Sequence, residues 1–349
     1  MYLLRKVFAL LFSFFLLCPL NAAAWERGDV ETFATLPAGN ANPEGIAADK
    51  RGNIYVTTFA PGAPAGQLGR VFVFNPHGQF LRQLNITGSS SALLGLDFNP
   101  KGDLLVIDSG IVSGKPQMLK VNNLATGASS VFTTFPAGSG PNALTFDKDG
   151  NVYISDSFQG IIWQTGPNGG PPTAWVTDKD TLTTLGVPGF GANGLGFNKA
   201  FGTLYVANTG NDTIVQIPVS NGTPGTPSVL TNSINGADGL ILDKNDNIWV
   251  AANQADEIVV IDKTGKAIAK LGDFDGIDKH GAPIGLLFPA SPVRVGEWLY
   301  VTNLSLDLRS VGGPQTVDSQ WAAQVTSHTI ARLRARIRHV HGNDHRDDD

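Results

Sequence analysis

From residue 25 onward, apolar positions fall in runs of a few residues, separated by polar turns rich in Asp, Gly and Asn. No long stretch keeps the 3.6-residue period of an amphipathic helix. Instead, one pattern recurs six times: GIAADKRGNIYVTT from Gly45, GLDFNPKGDLLVID from Gly95, ALTFDKDGNVYISD from Ala143, GLGFNKAFGTLYVAN from Gly194, GLILDKNDNIWVAA from Gly239 and GLLFPASPVRVGEWLYVTN from Gly285. Each copy is a short apolar strand, a polar turn whose residues tolerate left-handed backbone angles, and a second strand rich in β-branched and aromatic residues. That combination specifies a β-hairpin. The copies start 45 to 51 residues apart, which is the length of one four-stranded propeller blade. The pattern predicts an all-β, six-bladed propeller over residues 25–338. Ile161-IWQT and Ser130-VFTTF supply further strands in the gaps.

Ring closure is also written in the pattern. Ser130-VFTTF is the outer strand of the blade before the next repeat, and Val30-ETFATL occupies the same place before the first repeat. Residues 30–36 are therefore expected as the outer strand of the last blade. Ser327-HTIARLR would be its third strand, so that joining the chain ends removes an open sheet edge. Residues 307–324 interrupt this last blade, either as a lid over one face or as a disordered surface loop.

The first 24 residues have a different character. Arg5 and Lys6 precede an apolar run from Val7 to Leu17, broken only by Ser13, and then Pro19 and Ala22-Ala23-Ala24. This is the layout of a secretory signal peptide with an A-x-A cleavage site. Export to a periplasm or to the outside is expected, with no membrane association after cleavage. Cleavage would also remove Cys18, the only cysteine, and with it any disulfide, thiolate nucleophile or Cys-based zinc site. The polar stretch 339–349 reads as a disordered tail.

Composition narrows the chemistry. The chain has 41 Gly and 21 Pro among 349 residues, in keeping with many tight turns, and a formal net charge of −5 argues against a nucleic-acid partner. Catalytic motifs of other kinds are missing: there is no G-x-S-x-G, no phosphate-binding loop and no dinucleotide fingerprint. The segment from Asp147 begins like a calcium-binding EF-hand loop. It lacks the sixth-position Gly and has Phe158 where the twelfth-position Glu belongs, so it reads as a hairpin turn.

The residue before each repeat enters the innermost strand, and in a propeller these positions converge on the central channel. They are Glu44, Leu94, Asn142, Asn193, Asp238 and Ile284. Four of the six carry side-chain oxygen. Oxygen donors of mixed charge suit Ca²⁺ or another hard divalent cation rather than zinc, and two carboxylates match one divalent charge. The plainer reading is that Asn and Asp serve as turn residues at strand starts.

The repeat and the ordered Glu, Asn, Asn, Asp set resemble the senescence marker protein/gluconolactonase (SMP-30/gluconolactonase/LRE-like) family of calcium-dependent six-bladed propellers. Paraoxonases are more distant relatives, and the hairpin is also similar to NHL repeats. The resemblance covers roughly residues 29–335. It implies Glu44, Asn193 and Asp238 as metal ligands, Asn142 as a substrate-pocket residue beside the metal, and Asp238 as general base. The chain departs from the gluconolactonase type in two ways. Gly140 stands where that type has a sugar-gripping Arg, and the first motif, PEGI, lacks the usual Pro after Gly.

Two functions follow as expectations. One is an exported Ca²⁺-dependent hydrolase of a small-molecule lactone or similar ester, with Asp238 taking the proton of the attacking water. Because a metal-bound carboxylate is a weak base, Asp275 and Asp307 are alternative bases. The other is a non-catalytic NHL-like propeller that binds a protein, peptide or glycan, its metal purely structural.

Overall fold

Asp49 shows how the repeat makes its hairpin. Its Oδ1 accepts the backbone N–H of Arg51 and Asn53, and its Oδ2 accepts Asn53 Nδ2 and the Tyr55 hydroxyl. Asp147 does the same with Asp149, Asn151 and Tyr153, and Asp243 with Asn245, Asn247 and Trp249. One carboxylate thus satisfies the turn's free amides and pins the aromatic residue of the second strand. The Asp147 carboxylate is occupied by its own turn, as the hairpin reading requires.

The computed structural model of the protein describes residues 25–337 except 41 and 188. Segments 1–24 and 339–349, read as signal peptide and tail, lie outside the described residues. Within them the hairpins extend to six antiparallel blades. Blade 1 comprises Pro43–Ala48, Ile54–Thr58, Gly69–Phe74 and Phe80–Ile86, and blade 2 Leu93–Phe98, Leu104–Asp108, Gln117–Val121 and Ser129–Thr134. Blade 3 comprises Pro141–Phe146, Val152–Asp156, Ile161–Gly166 and Gly169–Thr177. In blade 4, Ala192–Phe197, Thr203–Asn208 and Thr213–Ser220 are followed by an outer strand split into Thr223–Pro224 and Ser228–Thr231. Blade 5 comprises Ala237–Leu242, Ile248–Ala252, Glu257–Ile261 and Ala267–Leu271.

Blade 6 is built from both chain ends. Pro289–Val295, Trp298–Asn303 and Thr329–Arg334 are completed by Val30–Thr35, which pairs antiparallel with Thr329–Arg334. Closure occurs as the sequence predicts. A side chain seals it on the inner side: Thr302 Oγ1 accepts Ser291 N–H at 3.0 Å and donates to the Glu44 carbonyl at 2.6 Å, tying blade 6 to blade 1.

The second strands of blades 1, 2, 3 and 5 are buried at every position. Each lies between two neighbouring blades, so its first three residues are apolar or aromatic on both faces. Core residues accordingly form six clusters, broadly one per blade interface. The cluster between blades 2 and 3 continues to Phe59, Phe288, Leu304, Leu306 and Leu308. Those last residues roof one end of the channel.

Inner strands approach so closely that the glycines of the repeat are required. A Cβ on Gly45 would lie 2.5 Å from the Leu94 carbonyl oxygen, one on Gly194 2.5 Å from that of Asp238, and one on Gly239 2.6 Å from that of Ala290. The recurring Gly is therefore a contact between blades, and it fixes the residue before it at the channel.

One expected position is corrected. Ile284 is not the sixth channel residue. It belongs to a small hairpin, Phe274–Ile277 with Pro283–Gly285, inserted before blade 6, and it is exposed. The inner strand begins at Pro289, which pairs with Asn303 as Pro43 pairs with Thr58. Ala290 stands where Glu44 does. The similarity of GLLF to GLIL concealed a shift of several residues.

The interruption of blade 6 is ordered, as a lid rather than a loose loop. It contains a 3-10 turn, Leu308–Val311, and a short helix, Val317–Ala322, with Thr316 and Ser319 forming a capping box. Trp321 packs edge-on against Phe274 at 5.4 Å, and Leu308 is buried. On the outer face of blade 6, the basic side chains of the last strand are neutralised. Arg332 pairs with Glu31 at 2.8 Å and Arg334 with Glu297 at 2.9 Å, and both guanidinium groups lie over Trp298.

Candidate functional site

Glu44, Asn142, Asn193 and Asp238 are each the second residue of an inner strand, and the ring brings all four to one cavity of about 40 Å³. Leu94 lines it from blade 2. Phe59, Phe190, Phe288 and the leucines 304, 306 and 308 form its apolar wall. A cavity of this size accommodates an ion and very little solvent besides.

Three of these side chains, Asn142, Asn193 and Asp238, are oriented by the residue that follows the second strand of their blade. Asn142 Nδ2 donates to Ser157 Oγ at 3.1 Å, and that hydroxyl donates to the Ala192 carbonyl at 2.7 Å. Asn193 Nδ2 donates to Thr209 Oγ1 at 3.0 Å, which donates to the Ala237 carbonyl at 2.7 Å. In blade 5 the same position is Asn253, whose Nδ2 donates to Asp238 Oδ2 at 3.0 Å. With each amide nitrogen engaged, the side-chain oxygens are what Asn142 and Asn193 have left to offer.

Three buried oxygens on residues lining this cavity lack a hydrogen-bond partner: Glu44 Oε2, Asp238 Oδ1 and Asn253 Oδ1. Burial pushes the Glu44 carboxyl well above the usual carboxylate range, and the Asp238 charge adds to the effect. Burial also pushes Asp238 up to about 7, against the opposing hydrogen bonds of Asn253, Asn193 and the Gly239 amide. Two carboxylates that share a dry cavity resist ionising together. A cation between them would remove the conflict and satisfy the orphaned oxygens. The donor set, two carboxylates and carboxamides without His or Cys, fits a hard oxygen-seeking cation.

The comparisons with known proteins agree with this architecture. Residues 105–272 match the family model described as SMP-30/Gluconolactonase/LRE-like region. That match lies within the blades, and the fold of the chain is the six-bladed propeller seen in gluconolactonase-like structures. It superposes on a luciferin-regenerating enzyme with a TM-score of 0.61 and 14% identity, covering 90% of this chain and 98% of that one. A gluconolactonase from Xanthomonas campestris gives 0.58 and 14%, with 90% and 91% covered. Regucalcin from Agrobacterium tumefaciens str. C58, a calcium-binding protein, gives 0.58 and 16%, with 87% and 97% covered. No curated protein sequence matches the chain.

Within this gluconolactonase-like frame, neither alternative base reaches the cavity. Asp307 caps the 3-10 turn of the lid and is held by Arg309, whose hydrogen bonds pull its carboxyl below the usual range. Asp275 is exposed on the inserted hairpin. Sequence reasoning missed Asn253, although a signal was present. Ser109, Ser157, Thr209 and Asn253 recur at one phase, directly after the second strand. The aromatic wall, drawn from loops, had no such period. Among the described residues, no helix is long and apolar enough to cross a membrane.

Proposed function

We propose that this protein is a Ca²⁺-dependent hydrolase, or one using another hard divalent cation, that acts on a small lactone or similar ester. The observation that carries the reading is the convergence of Glu44 and Asp238, each with an unpartnered buried oxygen, with Asn142 and Asn193 on one small cavity. Glu44, Asn193 and Asp238 would hold the cation. When bound, it polarises a carbonyl oxygen and stabilises the negative charge that develops there. Asn142 lines the same cavity and would orient the substrate. Asn253 fixes Asp238 Oδ2, which leaves Oδ1 for the cation, and the Asp238 carboxylate would act as general base on water drawn to that cation. The calcium-binding regucalcin and the Xanthomonas gluconolactonase support this reading through shared fold.

The test is turnover of a lactone and ester panel by chelator-stripped protein with and without added Ca²⁺, beside Asp238→Ala. Calcium-dependent hydrolysis lost in the variant supports the proposal. Calcium binding with no turnover across the panel would favour the binding-propeller reading. The charged start, apolar run and Ala-rich site of residues 1–24 further support export. N-terminal sequencing of protein from the exported fraction should begin at Trp25.

A further inference from the structure

A second, larger cavity of about 540 Å³ opens directly above the cation site. Phe59, Phe190 and Leu308 line both, so the small cavity is the floor of the large one. The walls of the upper cavity include Phe158, Ile111, Val187 and Val311, and no lining residue carries a charge. Ile111, Phe158 and Val187 are each about 45% exposed there (45%, 44% and 44%). Isolated exposed apolar side chains are ordinary, but several around one concave mouth mark a ligand surface.

The position of Phe158 is enforced. Its ring lies on Gly140, where an added Cβ would come within 2.5 Å of Cδ2. Asp156 Oδ1 accepts the N–H of both Gly140, at 2.9 Å, and Phe158, at 3.0 Å, so one carboxylate clamps the two segments together. Phe190 lies beside Phe158 with ring centroids 5.6 Å apart and planes tilted by 33°. Its loop is tethered by the Gln254 side chain, which donates to the Val187 carbonyl. Gly140 is two residues from Asn142, so this aromatic pair stands beside the reacting centre.

We infer that the Phe158–Phe190 pair makes the site selective for lactones or esters bearing an apolar substituent, an alkyl chain or aryl group, over polyhydroxylated sugar lactones. This rests on the hydrolase reading above. A sugar's hydroxyl groups would be buried against rings that offer no partners, whereas an alkyl chain buries its surface there.

The experiment measures kcat/KM with Ca²⁺ for unsubstituted γ-butyrolactone, its 4-butyl and 4-hexyl derivatives and glucono-δ-lactone. It uses the wild type and the Phe158→Ala/Phe190→Ala double variant. The wild type should gain up to about fourfold per buried CH₂, chiefly through KM, and discriminate against glucono-δ-lactone. The double variant should lose that dependence while it still folds cooperatively and binds calcium stoichiometrically. In parallel, chelator-stripped protein is titrated with the neutral dye N-phenyl-1-naphthylamine and challenged with the 4-hexyl lactone. Displacement of the dye without hydrolysis keeps the apolar site and overturns the hydrolase reading. Hydrolysis that is flat with chain length, or best with glucono-δ-lactone, overturns the inference and keeps the hydrolase. Self-association abolished by the double variant, with no dye binding, assigns the surface to a second copy and also overturns it.

Discussion

Asn253 donates its Nδ2 to Oδ2 of Asp238 at 3.0 Å, and the remaining oxygen of each side chain, Oδ1, is buried without a partner. Both residues line the same small cavity, and Asn253 fixes the orientation of the Asp238 carboxylate. Asp238→Ala should therefore abolish stoichiometric Ca²⁺ binding in a calorimetric titration of chelator-stripped protein. Asn253→Ala should weaken it by about 10- to 100-fold, the usual effect of removing a residue that orients a ligand. Unchanged affinity in Asn253→Ala would show that its contact with Asp238 is packing alone.

The same two carboxylates make the metal-free fold pay for its site. Burial raises both Glu44 and Asp238 above their ordinary range. A cation that binds only the folded state should offset this. At a hundredfold excess over its Kd, Ca²⁺ would add about 2.7 kcal/mol of stability. The thermal midpoint at pH 7.5 should rise with Ca²⁺ and fall with chelator. In Asp238→Asn without calcium it should exceed that of the chelated wild type, because a buried charge and its repulsion with Glu44 are gone. The variant's calcium response should be largely lost. An equal calcium shift in wild type and variant would place the bound ion elsewhere.

Backbone proximity leads to a test of how the blades hold the site. Gly194→Ala places a Cβ 2.5 Å from the Asp238 carbonyl oxygen and 2.6 Å from Leu240 N, and neither atom can move without shifting the inner strand of blade 5. Gly196→Ala meets only the far end of Leu242, at 2.7 Å, and of Leu240, at 3.3 Å. The first substitution should cost about 1–3 kcal/mol in urea unfolding and weaken cation binding, because Asp238 moves with its carbonyl. The second should cost less than about 1 kcal/mol and leave binding intact.

What was legible in the sequence was whatever repeats. The hairpin turns, the blade count and the closing strand at Val30–Thr35 all follow from one pattern copied six times. Glu44, Asn142, Asn193 and Asp238 were legible because the same close approach of inner strands that demands Gly45, Gly194 and Gly239 fixes their phase. Ile284 failed for the same reason in reverse. An inserted hairpin imitates the motif, and the true position, Ala290, lacks both the Gly and the oxygen that marked the others. Phe158 and Phe190 come from connections between strands, where spacing is not periodic and only three-dimensional packing brings the rings together.

The lid leaves a further acidic contact whose pH dependence has a definite sign. Asp256, in left-handed conformation with φ of 53°, accepts the Phe288 N–H at 2.7 Å through Oδ1. Burial pushes its carboxyl up to about 7, with the charges of Asp318 on the lid helix and Asp273 adding to the effect. The folded state then holds a proton that the unfolded chain has released, between the ordinary carboxylate pKa near 4 and about 7. Stability must fall as pH rises through that window and stay reduced above it. Asp256→Asn keeps the acceptor for Phe288 and tolerates the left-handed backbone, but never ionises. It should be nearly neutral at pH 4 and stabilising at pH 8 by about 2 kcal/mol, since part of the shift is screened where the group meets solvent. Urea unfolding at the two pH values, with calcium held saturating, measures the difference. A variant whose stability runs parallel to the wild type across pH 4–8 would show that Asp256 ionises in the folded protein as freely as in the unfolded chain.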